Sequence, residues 1–313
     1  MPKGDSKFPS ISQLESQIRD RINAPWKLGQ LLKEKSNWYP ITSALDAIGD
    51  AEEGLHAYLE MPETGNFGEL YISTYGVLQL LYVEQDAVKT LSKILGLPYE
   101  FHEDVKEVRN FRNWSIGHPT LDWDGRSHYI SRGLMSRKGF RLMSSHPDEE
   151  RSLFRDVNIF DLIEKQRAAL CKALSATLEK LKEDEMAHKE LFKDQKLSDC
   201  FHSSTGWMVR KLYEAVWSDD LFPLGKTHVE ILTKQVDEFE KGLIERELPD
   251  TASYEISKVR YVLSELEKFF KNKTESKFSD DDAEIFIFYI ERHFVELEKI
   301  AKAIDEEYGS DVE

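Results

Sequence analysis

The chain has 313 residues, with 42 Lys and Arg against 58 Asp and Glu for a net charge of −16, and is 40 % hydrophobic and 11 % aromatic. It is too apolar for a disordered segment, and its longest purely apolar run, Ile285–Ile290, is too short to cross a bilayer. Two cysteines, Cys171 and Cys200, exclude a disulfide scaffold and a four-cysteine zinc site and point to a reducing, cytoplasmic setting, and the first 17 residues hold no apolar core of signal-peptide length.

Gly and Pro together number only 26, so turns are scarce and the elements between them should be long. In chain order, Tyr39–Met61 carries Ala44, Leu45, Ile48, Leu55, Tyr58 and Leu59 at helical spacing and ends at Met61-Pro62. Glu69–Gly96 is a wide apolar helical stripe stopped by Gly96 and Pro98, and Glu103–Ile116 is a shorter helix closed by Gly117-His118-Pro119. Ser127–Ser145 alternates weakly around Gly133 and Gly139, which predicts a β-hairpin excursion. A long helix without Gly or Pro follows from Asp156 to about Asp194, apolar early and charged late, and is expected to project from its bundle. Four more helical patterns cover Leu197–Trp217, Gly225–Leu248, Ser253–Asn272 and Asp281–Tyr308. The expectation is an all-α protein of two bundles, residues 1–195 with a core at 40–190 and a small hairpin insertion, then 196–313 as a regulatory or partner-binding bundle. At least 60 % of residues should be helical, with no sheet beyond one hairpin.

The charge is unevenly spread. Val105–Arg141 holds eight basic residues (Lys106, Arg109, Arg112, Arg126, Arg132, Arg137, Lys138, Arg141) against Glu107, Asp122 and Asp124, a local +5, whereas Ser279–Glu313 carries −9 and reads as a solvated acidic face.

Within the basic stretch lies Val108-Arg109-Asn110-Phe111-Arg112-Asn113-Trp114-Ser115-Ile116-Gly117-His118-Pro119-Thr120. This segment resembles the signature of the HEPN family, an Arg commonly followed by Asn, Asp or His and then a His after four to six residues, on a helix of a small bundle. The helix carrying Leu78-Gln79-Leu80-Leu81-Tyr82-Val83-Glu84-Gln85-Asp86-Ala87 is similar to the core helix that precedes this motif, and the likeness spans about residues 40–190. The bare spacing recurs at Arg141–His146, without the Asn, inside the expected hairpin. The resemblance implies an endoribonuclease that needs no metal or cofactor, a toxin or antiviral effector in which the ribose 2′-hydroxyl attacks its own phosphate. Arg112 would then stabilise the phosphorane, His118 would move protons as imidazoles do near neutrality, and Asn113 would orient His118 or a phosphate. Arg109, Arg126, Arg132, Arg137, Lys138 and Arg141 would bind RNA. The family's pairing habit implies a homodimer with two motifs facing one cleft, and the second bundle would receive a regulatory protein or antitoxin.

A bundle that binds RNA, a nucleotide or a protein without catalysis is the alternative, with Arg112 paired to an acid such as Glu84 and His118 packed at a turn. Glu53-x-x-His56 and Glu185-x-x-His188 match the spacing of di-metal bundles, but the second lies in a charged run with no apolar face to enclose metal ions, so no metal site is expected.

Overall fold

The computed structural model describes residues 9–274 and 276–310, and the N-terminal segment considered for targeting lies in part outside them. Of the described residues 72 % are helical, in keeping with a mostly all-α fold. The sheet is one strand larger than the expected hairpin: β1 (Ser127–Ile130), β2 (Gly139–Ser145) and β3 (Leu153–Asn158) form an antiparallel meander in that order. The third strand takes residues expected at the start of the long helix, because β3 pairs Arg155 with Leu142 and Asp156 with Arg141 in register.

Two compact units result, and their boundary differs from the one expected at 195. The first holds the described residues up to Asn23 with Leu31–Leu181, and the second holds Ala24–Gln30 with the described residues from Lys182 on. The apolar stripe of α6 (Ile159–Phe192) explains the break, since its last buried leucine is Leu181.

In the first unit, α1 (Ile11–Ile22) starts at a Ser10 capping box closed by Gln13 and buries Ile11, Leu14, Ile18 and Ile22. The long pair α3 (Lys35–Glu60) and α4 (Phe67–Ile94) forms an antiparallel hairpin: Ile41 and Ile48 share a cluster with Val88 and Leu91, whereas Leu55 and Tyr58 share one with Leu70 and Val77. Against the second cluster pack α5 (Glu103–Arg112), the sheet and the start of α6. The apolar layer is crossed by one polar chain, in which Gln85 Nε2 donates to Gln166 Oε1 (2.5 Å) and Gln166 Nε2 donates to Glu84 Oε2 (2.6 Å).

The second unit contains α2 (Pro25–Lys33) as far as Gln30, the end of α6, and α7 (Thr205–Trp217), α8 (Phe222–Glu245), α9 (Ser253–Lys271) and α10 (Asp280–Gly309). Phe239, Phe269, Phe270 and Phe294 fill its core. The charged end of α6 is packed here and does not project: His188 stacks on Trp26 with ring centroids 4.5 Å apart and touches Phe192 and Tyr308. No described helix is long and apolar enough to cross a membrane.

Candidate active site

The helix carrying the Arg-Asn motif does not simply stop. After Arg112 it widens into a π turn, Asn113–Gly117, in which the His118 N–H donates to the Asn113 carbonyl five residues back at 2.7 Å. Such turns insert an extra residue and concentrate at functional sites. The wider turn sets the main chain of His118 directly after that of Asn113 along the helix axis, and the helix ends there. Gly117 leaves room for the guanidinium above this turn: a Cβ there would lie 2.9 Å from Arg112 Nη1 and 3.4 Å from Asn113 Oδ1, so the side chain would have to shift. The guanidinium of Arg112 is thereby folded back over the residue that precedes His118.

Arg112 is held by neutral groups. Its Nε and Nη2 donate to Gln79 Oε1 at 3.1 and 3.0 Å, Nη1 donates to Asn113 Oδ1 at 3.1 Å, and its guanidinium lies over the Tyr82 ring at 4.5 Å. It does not pair with Glu84. Three of its five N–H donors are engaged, which leaves two for an anion, and among the described residues no carboxylate pairs with it. Asn113 orients both principal groups, Arg112 through its side chain and His118 through its carbonyl. His118 is exposed, and its imidazole meets the Trp123 ring edge-to-face with centroids 5.2 Å apart.

The expected RNA-binding arginines divide sharply. Arg109 is tied to Asp86 (2.8 Å) and shares the Tyr82 ring with Arg112. Arg126 forks onto Glu149, with Nη1 to Oε2 at 2.8 Å, and Arg141 forks onto Asp156 at 2.6 and 2.8 Å across β2 and β3. Arg137 is half-buried and caps the end of α3, donating to the carbonyls of Leu59 (2.7 Å) and Met61 (2.5 Å). These four are engaged within the fold, so the local +5 is not an open cationic strip. Arg132 and Lys138 are exposed on the connection between β1 and β2, and neither side chain has an acidic partner among the described residues.

Residues outside the motif complete the site. Gln79 and Tyr82, one helical turn apart on α4, hold Arg112, and with Asp86, Pro40 and Ala47 they also line an open groove of about 360 Å³ between α3 and α4. On β3, Arg155 lies over the ring of Trp114 at 4.9 Å and donates to Ser144 Oγ at 3.4 Å. Their signal in the sequence is slight. Gln79 and Tyr82 sit in a helix whose apolar stripe dominates the pattern, and Arg155 lies beyond the basic segment.

Of the two di-metal spacings, His56 is exposed 3.6 Å from Glu60, and His188 lies in the aromatic cluster of the second unit, which corrects its reading as part of a charged run with no apolar face. Among the described residues no three His, Cys, Asp or Glu side chains come together as a metal-binding group. Compared with protein-family models, characterised proteins and solved structures, the chain matches none.

Proposed function

We propose that the first unit is a metal-independent endoribonuclease of the HEPN type. The observation that supports it most is a guanidinium that, among the described residues, is held by neutral groups with two N–H donors to spare, on a helix whose π turn ends at an exposed imidazole. In the reaction the ribose 2′-oxygen forms a bond to phosphorus and the bond from phosphorus to the 5′-oxygen breaks, leaving a 2′,3′-cyclic phosphate and a 5′-hydroxyl. Arg112 donates to the phosphorane oxygens, whose charge rises in the transition state. His118 moves one of the two protons, from the 2′-hydroxyl or to the departing 5′-oxygen.

Two proton transfers call for two groups, a chemical reason for a homodimer in which two motifs share a cleft. Ile72, Tyr75 and Val83 form an exposed apolar stripe on α4, the helix that supplies Gln79 and Tyr82, and this suits a second copy of the chain. On the second unit, exposed Tyr254, Tyr261, Ile285 and Phe288 suit a regulatory protein or antitoxin. The decisive experiment incubates the full chain with single-stranded RNA in excess EDTA. Wild type is expected to cut and leave cyclic phosphate ends, His118→Ala to lose about 10²- to 10⁴-fold in rate with binding retained, and Arg112→Lys to lose most of the rate with the fork. Activity that returns only with added Mg²⁺ or Mn²⁺, or both variants cutting at the wild-type rate, overturns the mechanism. The non-catalytic module, which the three internal hydrogen bonds of Arg112 favour, then takes its place.

A further inference from the structure

The loop that follows His118 is organised around one carboxylate. Asp122 Oδ1 accepts from the N–H groups of Asp124 (3.0 Å) and Arg126 (2.8 Å), and Oδ2 meets His128 Nε2 at 3.0 Å. His128 Nδ1 in turn meets Ser144 Oγ at 2.8 Å, and its main-chain N–H donates to the Pro119 carbonyl at 2.6 Å. His128 and Ser144 are buried, and Gly125 closes the turn at φ +77°, a conformation suited to glycine. Desolvation opposes ionisation of Asp122, but the hydrogen bonds from Arg126, His128 and Asp124 outweigh it and hold the carboxyl below its ordinary range. The loop is pinned at its base.

At the tip this pinned loop presents an indole to solvent. Trp123 is 88 % exposed, with Leu121 beside it at 64 %, and its ring is the one that touches His118. A large apolar ring gains by burial, so one displayed by a hydrogen-bonded loop is available to cover something else.

We propose that Trp123 is the stacking platform for an unpaired nucleobase of the RNA, so that the substrate is single-stranded where it is cut. This rests on the ribonuclease reading above. Three features favour a base over other occupants. The ring adjoins the proton-transfer group, and within a nucleotide only the sugar separates base from phosphate. In the sequence Trp123 lies between two acidic residues, Asp122 and the exposed Asp124, a setting that disfavours phosphate, so the neutral face of a base belongs on the ring and the phosphate belongs toward Arg112. A base within a duplex already has both faces stacked and has none to offer.

The test uses the full chain carrying His118→Ala, which binds without cutting, and compares Trp123→Ala and Trp123→Phe on that background. The probes are a labelled single-stranded RNA, the same RNA with single abasic substitutions, and its duplex. Trp123→Ala is expected to weaken single-strand binding about tenfold or more, Trp123→Phe to restore most of it, and duplex binding to stay unchanged. At one position the abasic substitution should erase the difference between Trp and Ala, which a general loss of structure would not do. Equal single-strand affinity for the Trp and Ala proteins overturns the proposal, as does loss of self-association with RNA binding intact, which would make the ring a protein contact. If wild type cuts RNA through His118 while Trp123→Ala changes nothing, the platform falls alone. If no form cuts RNA but the stacking signature holds, the platform stands and the ribonuclease reading falls.

Discussion

A guanidinium already neutralised by a carboxylate has little to offer a phosphate, and this separates arginines that a sequence presents as equals. Arg126 and Arg141 are committed to Glu149 and Asp156 in exposed pairs, which hold both carboxyls below their ordinary range through the hydrogen bonds the arginines donate. Alanine at either site should therefore leave the salt dependence of RNA binding nearly unchanged. Removing Arg132 and Lys138 together should lower its slope by about 0.7 for each phosphate of the single strand that these two side chains neutralise, read from affinities at several salt concentrations. Arg137 belongs to the fold. Its two shortest bonds satisfy carbonyls at the end of α3, and the Tyr58 hydroxyl donates to its own carbonyl at 2.5 Å. Arg137→Ala should cost about 1 kcal/mol of stability by denaturant titration, since the part-buried carbonyl of Leu59 and the exposed one of Met61 lose a charged donor. An unchanged denaturation midpoint with weakened RNA binding would return Arg137 to the interface.

At the scale of elements, the helices were legible because their stripes are long: each apolar pattern from Tyr39 to Tyr308 corresponds to a helix in the structure. Three elements, α1, α2 and β3, were not. Ile11, Leu14, Ile18 and Ile22 make a stripe behind a Ser10-x-x-Gln13 cap, but it runs for only 12 residues and so carries a weaker periodic signal than the longer helices. β3 places Leu153 and Phe154 on an exposed edge, so its alternation carries little burial signal. The Arg-Asn-His spacing marked the motif, whereas the π turn that joins Arg112 to His118 has no signature in the spacing, because one inserted residue changes the backbone hydrogen bond and leaves composition alone. Trp123 was equally hidden in an aperiodic loop. The turn itself can be tested. Gly117→Ala would bring a methyl to 2.9 Å from Arg112 Nη1 and push the guanidinium off the turn. Cleavage should fall by about 10²-fold, the cost of a misplaced catalytic group, with the thermal midpoint within a few degrees of wild type. A variant that cuts RNA normally would show that Arg112 does not act from this position.

Across the whole molecule, the two units should respond to pH in opposite senses. In the first, Glu84 is fully buried, and its carboxyl is pushed up to about 8 by desolvation and by the facing Glu52, against the hydrogen bond from Gln166. Among the described residues its Oε1 meets no donor, and the facing Glu52 is itself forked by Arg167 at 3.1 and 3.0 Å, so the Glu84 carboxyl is favoured in its neutral form. The folded state keeps this proton over the range from about 4.5 to 8, where the unfolded chain has released it, so it binds more protons and stability falls as pH rises through that window. In the second unit, desolvation depresses His188 among Trp26, Phe192 and Tyr308, with Arg246 and Lys27 adding to the effect and Glu247 opposing it, and His228 is depressed by desolvation and Lys211. There the unfolded chain takes up protons first, so stability falls as pH drops below about 6.5. Glu84→Gln keeps the shape and removes the titration: at pH 8.5 it should raise the melting midpoint of the first unit by about 3 °C or more, while at pH 5 it changes little. His188→Gln should lessen the acid-side loss of the second unit, leaving the part due to His228, and leave the first unit unchanged. Calorimetry with hydrogen exchange at pH 5, 7 and 8.5 separates the units. An acid–base profile that neither substitution alters would mean that Glu84 and His188 do not govern it.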